Sequence, residues 1–453
     1  MTLRNPQMNI IYLHSHDTGR YLQPYGHAVP APNLQRLAEE GVLFRKAFSA
    51  APTCSPSRAC LLTGQSSHSC GQLGLANRDF FLQHPERHLA NFLRSHGYRT
   101  ALCGFQHLTL DTRTLGYEWI AEADPPGSRG PEYRTEAAVE FINREHDRPF
   151  FLAVGYSETH RVFPEPSDEE DVRYTLPPAP LPDTPETRYD MASYKRMAKI
   201  LDDQVGIVLN ALEEAGLAED TLFIYTTDHG LAFPSMKCTL TDHGFGVSLI
   251  MRGPQGFSGG KVVDGMVSQI DIYPTLCELL DVDPPAWLQG RSVAPLVAGT
   301  ADEINEEIFG EVSYHAGYEP KRAVRTQRWK YIRRFDGWAT TTMPNIDNGP
   351  SKRYLMDNGL AGRRIHQEAL YDLIYDPNEA CNLVNDPDYA EALAEMRGRL
   401  ASWMERTDDP LLRGPVPAPE GTYVDSPGDP HPGGSEQDSV SQWLRRERLD
   451  IRG

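Results

Sequence analysis

Several things are missing from this chain of 453 residues, and each absence excludes a class of protein. No run approaches the roughly 20 consecutive apolar residues that a membrane-spanning helix needs. No C-x-x-C pair occurs, so neither a zinc knuckle nor a dithiol redox site is implied. Met1 to Gln7 lead into an apolar strand without an apolar h-region or a small-residue cleavage site, so a cytoplasmic setting is expected. The seven cysteines are odd in number and irregularly spaced, which predicts reduced thiols rather than a disulfide framework. Positive charge is short as well: 44 Lys and Arg against 63 Asp and Glu leave a formal charge of −19. That balance repels polyanions and argues against nucleic acid as a partner. Only the stretch from Lys321 to Arg334 reverses it, with seven basic residues and no acidic one, as a solvated strand face or the rim of an anion site would.

What the chain does have is a regular alternation of apolar runs with helical patterns over roughly its first two thirds, in a length that suggests two domains. Met8–Leu13, Val42–Phe48, Thr100–Cys103, Phe150–Gly155, Leu222–Thr226 and Val247–Met251 read as buried strands. Pro32–Glu40, Arg58–Leu62, Leu89–His96, Glu136–Arg144 and Ile272–Leu280 read as helices, and an apolar stripe marks a long helix from Tyr194 to Ala215. This predicts an α/β domain over residues 1–300, with a large, mostly parallel sheet sandwiched by helices and its chemistry in loops beyond the strands' carboxyl ends. Over residues 301–412 the strands Glu307–Val312, Ala323–Thr326, Trp329–Arg334 and Leu370–Leu373 and the helix Tyr389–Met404 predict a small antiparallel sheet with one helix. Residues 413–453, rich in Pro, Gly, Ser and Asp, read as an extended tail able to wrap a neighbouring copy in a homo-oligomer. The Pro-rich stretch from Pro164 to Pro185 is a long connection that can border a site.

Six segments carry chemistry. Cys54-Ser55-Pro56-Ser57-Arg58, followed by Leu62-Thr63-Gly64, sets a cysteine at the start of a helix, where free backbone N–H groups and a partial positive charge favour an anion. His14-Ser15-His16-Asp17 and Thr227-Asp228-His229-Gly230 follow two strands, so their imidazoles and carboxylates can converge on one divalent ion. Gly97-Tyr98-Arg99-Thr100 leads to Gly104-Phe105-Gln106-His107. Gly155-Tyr156-Ser157-Glu158-Thr159-His160 ends another strand, and Pro234-Ser235-Met236-Lys237 follows the Asp-His-Gly.

Taken in order, these segments resemble the signatures of type I sulfatases, in the alkaline-phosphatase-like superfamily. The resemblance implies that a maturation enzyme oxidises Cys54 to Cα-formylglycine. It also implies that Asp17, Asp228, His229 and the oxidised residue 54 hold a divalent cation. His16 stands where the family commonly has an Asp. An imidazole softens the site, so Mn²⁺ gains against the family's usual Ca²⁺. Arg58, His107, His160 and Lys237 fall on catalytic positions: the hydrated aldehyde attacks sulfur, His160 and Lys237 meet the sulfate and leaving group, and His107 takes a proton as sulfate departs. Phe105 occupies the position of a sulfate-gripping lysine, with Arg20 as the expected substitute. Arg20, His160, Lys237, Glu311, His315 and Arg322 are the expected substrate contacts. Within the family, His229 to Pro234 and Tyr314 to Arg325 look most like heparan N-sulfatase (sulfamidase) and its bacterial relatives, which implies a saccharide sulfate as substrate. A phosphonate monoester or phosphodiester hydrolase of the same superfamily and an inactive, anionic-sugar-binding relative remain as alternatives.

Overall fold

The computed structural model describes residues 8–121 and 130–433. Met1 to Gln7, residues 122–129 and residues 434–453 lie outside them. Nine strands form the main sheet: β1 (Asn9–His14), β2 (Val42–Phe48), β3 (Arg99–Gly104), β4 (Trp119–Ile120), β5 (Phe150–Gly155), β6 (Thr221–Thr226), β7 (Gly246–Val247), β8 (Leu249–Arg252) and β9 (Lys261–Ser268). Their order is β4-β3-β5-β1-β6-β8-β2-β7, with β9 on β2. The run from β4 to β6 is parallel, while β8 pairs antiparallel with β6 and β2. The expected strand Val247–Met251 is thus two short pieces broken at Ser248. Lys261–Ser268 was not expected as a strand, because Asp264 and Gly265 interrupt its apolar pattern.

Successive residues of β1 feed opposite faces, as the period of two requires. Ile10 and Tyr12 join a core with the helices Cys54–Thr63, Leu89–Ser95 and Ile272–Leu279. Ile11 and Leu13 join one with Pro32–Glu40, Pro131–Ile142 and Pro185–Glu214. The last helix has 30 residues and begins well before Tyr194, because Thr184 and Thr187 form a capping box with Pro185 at the first position. Its first turns are polar, so hydrophobic periodicity did not reveal them.

A second sheet, β10 (Ile308–Tyr314), β11 (Tyr318–Arg325), β12 (Trp329–Arg334) and β13 (Glu368–Asp372), is antiparallel throughout and packs on the helix Ala390–Arg406. As far as residue 433, the tail packs on the second sheet of its own chain. Val416 enters the core of the second sheet, and Asp425 forms a β-bridge with Gly317.

β1 is the centre of the arrangement. Its neighbours β5 and β6 lie on opposite sides, so the chain's crossovers diverge there, and a crevice opens beyond the carboxyl ends of the strands. His14, Gly155 and Thr226 end at that crevice together.

Candidate active site

The loops after β1 and β6 are tied by their backbones. Asp17 N–H donates to Asp228 Oδ1 (2.9 Å), Thr18 N–H to Thr227 Oγ1 (3.1 Å), and Gly19 N–H to the His229 carbonyl (2.8 Å). Gly230 is required at this crossing, because a Cβ there would lie 2.0 Å from the His243 carbonyl oxygen. Asp17 adopts a left-handed backbone with φ of 56°, uncommon for a non-glycine residue and characteristic of functional turns. The helix Cys54–Thr63 starts at the cysteine, and its N-cap Thr53 makes no side-chain cap bond. Ser57 and Arg58 both reach across to Asp228: Ser57 Oγ donates to its carbonyl (2.6 Å) and Arg58 Nη2 to its Oδ2 (2.9 Å).

One ligand-competent atom from each of His16, Asp17, Cys54, Asp228 and His229 lies within 4.8 Å of the others, and all five residues are buried. His16 Nε2 is 3.1 Å from Asp228 Oδ2 and 3.5 Å from Asp17 Oδ1, and His229 Nε2 is 3.3 Å from Asp17 Oδ1. His16 Nε2, Asp17 Oδ1 and His229 Nε2 have no hydrogen-bond partner among the described residues. Three buried polar atoms pointing at one another without partners is a costly arrangement unless a cation joins them. The donors fit one, with two carboxylates and two imidazoles. His229 donates from Nδ1 to the Gly230 carbonyl (3.0 Å), which leaves a bare lone pair on Nε2.

The titration behaviour agrees with that fit. Burial, and then the charges of His160, Arg58 and Lys237, hold His16 neutral far below the usual imidazole range. Burial takes His229 down to about 4 despite the nearby Asp228 carboxylate. Asp17 is raised by burial, although Lys237 pulls the other way. Burial also pushes on Asp228, but His229, Arg58 and Lys237 together outweigh it and keep that carboxyl below its ordinary value.

Around the cluster, Lys237 Nζ lies 3.0 Å from Asp17 Oδ2, 3.0 Å from Asp347 Oδ2 and 3.3 Å from His160 Nε2. His160 donates from Nδ1 to the Arg161 carbonyl (2.6 Å), so its Nε2 faces the site. His107, also left-handed (φ 57°), meets Asn77 Oδ1 through Nε2 at 3.1 Å. His315 is buried and acts electrostatically on Asp347. Arg58 also contacts His14 Nδ1, and its guanidinium lies over the Phe105 ring, 5.0 Å from the centroid.

Three expected substrate contacts are not brought to the cluster. Arg20 is committed to Asp242, the Arg45 carbonyl and the Phe48 ring, so Arg58 is the cation at Phe105. Arg322 is 0% exposed and paired with Asp409 and Glu311, while Glu311 is also bound by His68. Their charges satisfy one another in the interior, which removes both from a substrate-binding role. The basic stretch that contains Arg322 is therefore neither a solvated face nor an anion rim at that residue. Asp347, Asn77 and His14 belong to the site and were not expected; Asp347 and Asn77 sit in no motif, and only the fold brings them near.

A buried cluster of imidazoles and carboxylates at a switch-point crevice is consistent with the alkaline-phosphatase-like resemblance of the sequence. Residues 8–282, well over half of the chain, match the family described as Sulfatase, and residues 235–358 match "N-sulphoglucosamine sulphohydrolase, C-terminal". The chain belongs to the sulfatase family, and so to the sulfuric ester hydrolases. It is 29% identical to the human N-sulphoglucosamine sulphohydrolase, over 90% of this chain and 92% of that protein. It is 27% identical to an ulvan-active sulfatase of Formosa agariphila, over 91% and 82% of the two chains. A protein solved with its substrate D-glucosamine-2-N,6-O-disulfate superposes with a TM-score of 0.70 at 19% identity, over 90% of this chain and 99% of that one.

Proposed function

We propose that this sulfatase releases inorganic sulfate from a sulfated saccharide, with N-sulfated glucosamine among its substrates, using formylglycine made from Cys54 and one divalent cation. The observation that carries the reading is the set of buried, partnerless atoms on His16, Asp17 and His229, converging beside Cys54 at a helix start. His16, Asp17, Asp228, His229 and residue 54 would hold the ion, which when bound supplies Lewis-acid charge for the sulfate oxygens and the nucleophile. Two imidazoles in the set favour Mn²⁺ over the purely oxygen-ligated preference for Ca²⁺.

The chain's own residues do the rest. Arg58 keeps Asp228 ionised and stands at the helix start beside residue 54. Lys237, buried and held protonated by Asp17 and Asp347 against the cost of burial, presents a fixed positive charge where the sulfate bears its negative oxygens. His160, with Nε2 inward, can give a proton to the departing oxygen or nitrogen. His107 receives the proton whose removal lets sulfate leave. Asp347 and His315 supply polar contacts at the saccharide side. We also infer a formylglycine-generating maturation enzyme as partner and a reducing, cytoplasmic compartment, which the free thiols support. The described helices include none long and apolar enough to cross a membrane.

Sulfate release from glucosamine N-sulfate, glucosamine 6-O-sulfate, a hexuronate 2-O-sulfate and an aryl sulfate tests the reading, with mass analysis of the Cys54 peptide showing its oxidation state. An unmodified thiol in protein from a maturation-competent host would leave the sugar-binding alternative. One observation favours a second reading. Phe105 removes a lysine from the anion pocket, which suits an anion with fewer charged oxygens, so an aryl phosphodiester and a phosphonate monoester belong in the same panel. Faster turnover of those than of any sulfate would replace the sulfatase reading.

A further inference from the structure

The C-terminal segment is wired into the active site. Asp425 Oδ2 pairs with Arg78 Nη2 at 2.8 Å, with the side chains 0% and 6% exposed. Arg78 Nη1 donates to the carbonyls of Ala316 (2.9 Å) and Tyr423 (3.0 Å), and Thr422 Oγ1 donates to the Arg78 carbonyl (3.2 Å). Asp425 N–H donates to the Ala316 carbonyl (3.0 Å), and Asp425 Oδ1 accepts from Gly433 N–H (2.9 Å). Arg78 closes the 3-10 turn Ala76–Arg78. On its other side, Ala76 N–H donates to Ser55 Oγ (3.0 Å), next to Cys54. Between these anchors stands Asn77, whose Oδ1 accepts from His107 Nε2 (3.1 Å). Ala316 follows His315 directly.

We propose that Asp425 is a positioning residue for the site: through Arg78 it fixes the turn that carries Asn77, and Asn77 sets the tautomer and aim of His107. An amide oxygen facing Nε2 holds a proton there and leaves Nδ1 as the proton-accepting nitrogen. A base displaced by an ångström loses on the order of a hundredfold in rate without losing substrate affinity. The contact closes over a sequence separation of 347 residues. The proposal rests on the role assigned to His107 under the sulfatase reading.

The test uses the full chain with Asp425→Asn, Asn77→Ala, Asn77→Asp and the double variant Asp425→Asn/Asn77→Ala. Arg252→Ala serves as a stability control, since it breaks partly buried pairs with Glu40 and Glu213 at the opposite end of the sheet. On an aryl sulfate, Asp425→Asn is expected to lower kcat by about ten- to a hundredfold, with KM falling in parallel so that kcat/KM stays within about threefold, and to show a burst of phenol release before slow turnover. Asn77→Asp, which keeps the acceptor, should retain most of the activity that Asn77→Ala loses. The double variant should be no slower than Asn77→Ala, because residues acting along one route are not additive. In unmatured protein that retains the Cys54 thiol, ¹⁵N-imidazole NMR should show His107 with its proton on Nε2, and a mixture of tautomers in Asp425→Asn. An unchanged kcat in Asp425→Asn, a loss equal to that of Arg252→Ala, fully additive effects or an unmoved tautomer would each overturn the proposal. Wild-type protein that cleaves no sulfate would instead overturn the sulfatase reading, and the NMR comparison would still decide this one.

Discussion

On the proposed assignment Lys237 stands between the ion ligands and the sulfate, and replacing it should move ion binding and turnover in opposite directions. Asp17 divides its oxygens: Oδ2 accepts from Lys237 Nζ at 3.0 Å, while Oδ1 faces His229 Nε2 at 3.3 Å. Lys237→Met therefore has two effects on ion binding. It frees the Asp17 side chain, which costs at most about 1 kcal/mol of rotamer entropy. It also removes a positive charge whose attraction to Asp17 at 3.0 Å, in an effective dielectric near 20, is about 5 kcal/mol. Even a third of that, once water enters the vacated corner, exceeds the entropy term by about 0.7 kcal/mol, so the ion should bind about threefold tighter. Turnover should fall by about two to three orders of magnitude, the usual cost of losing one charged group that meets transition-state charge. The assay pairs an ion titration followed by thermal shift with sulfate-release kinetics at saturating ion. Because Asp347 is left as a partly buried carboxylate without its lysine, Lys237→Met/Asp347→Asn is measured beside the single variant. Weaker ion binding in both variants, or kcat/KM within threefold of wild type, would refute the assignment of Lys237 to sulfate.

Chelation of the ion should lower the melting temperature by about 3 °C: an ion present at a hundred times its Kd contributes about 2.7 kcal/mol, spread over the unfolding entropy of a chain this size. Asp228→Asn should abolish that difference in a differential scanning experiment. His88 caps the helix Leu89–Ser95 by accepting from Ala90 N–H (3.1 Å), and burial lowers its pKa from 6.5 to about 3. The unfolded chain therefore takes this proton first, so the contribution of His88 is intact above about pH 6.5 and lost as the pH falls toward 3, by about 1.4 kcal/mol at pH 5.5. His88→Asn keeps a capping acceptor without that titration, and its melting temperature should fall less steeply between pH 7 and 5. Phe105→Lys alone should lower both stability and turnover by setting a cation against Arg58, whereas Phe105→Lys with His16→Asp should recover much of the loss in the same two assays.

The parallel centre of the main sheet was legible because β1, β5 and β6 are largely continuous apolar runs, and β2, β5 and the helix Pro32–Glu40 have the bounds that pattern and punctuation implied. What the sequence did not show depends on distant partners. The helix Pro32–Glu40 has no cap of its own, and Asp202, far along the chain, accepts from Asn33 N–H (3.0 Å) and Leu34 N–H (2.9 Å) in its place. The candidate ion ligands were legible because each sits directly after a strand end or at a helix start. Asp347, Asn77 and Asp425 lie in polar connections without periodicity, and they become part of the site only through contacts spanning 30 residues or more. Charge alone misled: Arg20, Glu311 and Arg322 are polar residues near motifs, but burial pairs them with carboxylates or a histidine instead of a ligand.

The two places where the chain departs from the pattern of its family are in contact. The Phe105 ring lies 5.3 Å from the His16 ring, and both adjoin Arg58 or Asp228. An aspartate at 16 and a lysine at 105 would carry opposite charges, whereas a neutral imidazole and a phenyl ring carry none. Replacing both leaves the net charge of the crevice unchanged, and replacing either alone shifts it by one unit in a buried setting, where an unpaired charge is expensive. Burial holds His16 neutral, as that balance requires. The aromatic face also gives Arg58 a second contact in place of a like-charged neighbour. The two substitutions are therefore one change in the chemistry of the site, from an ion pair to a tilted, uncharged aromatic pair, and the ion and anion preferences it sets should be measured together.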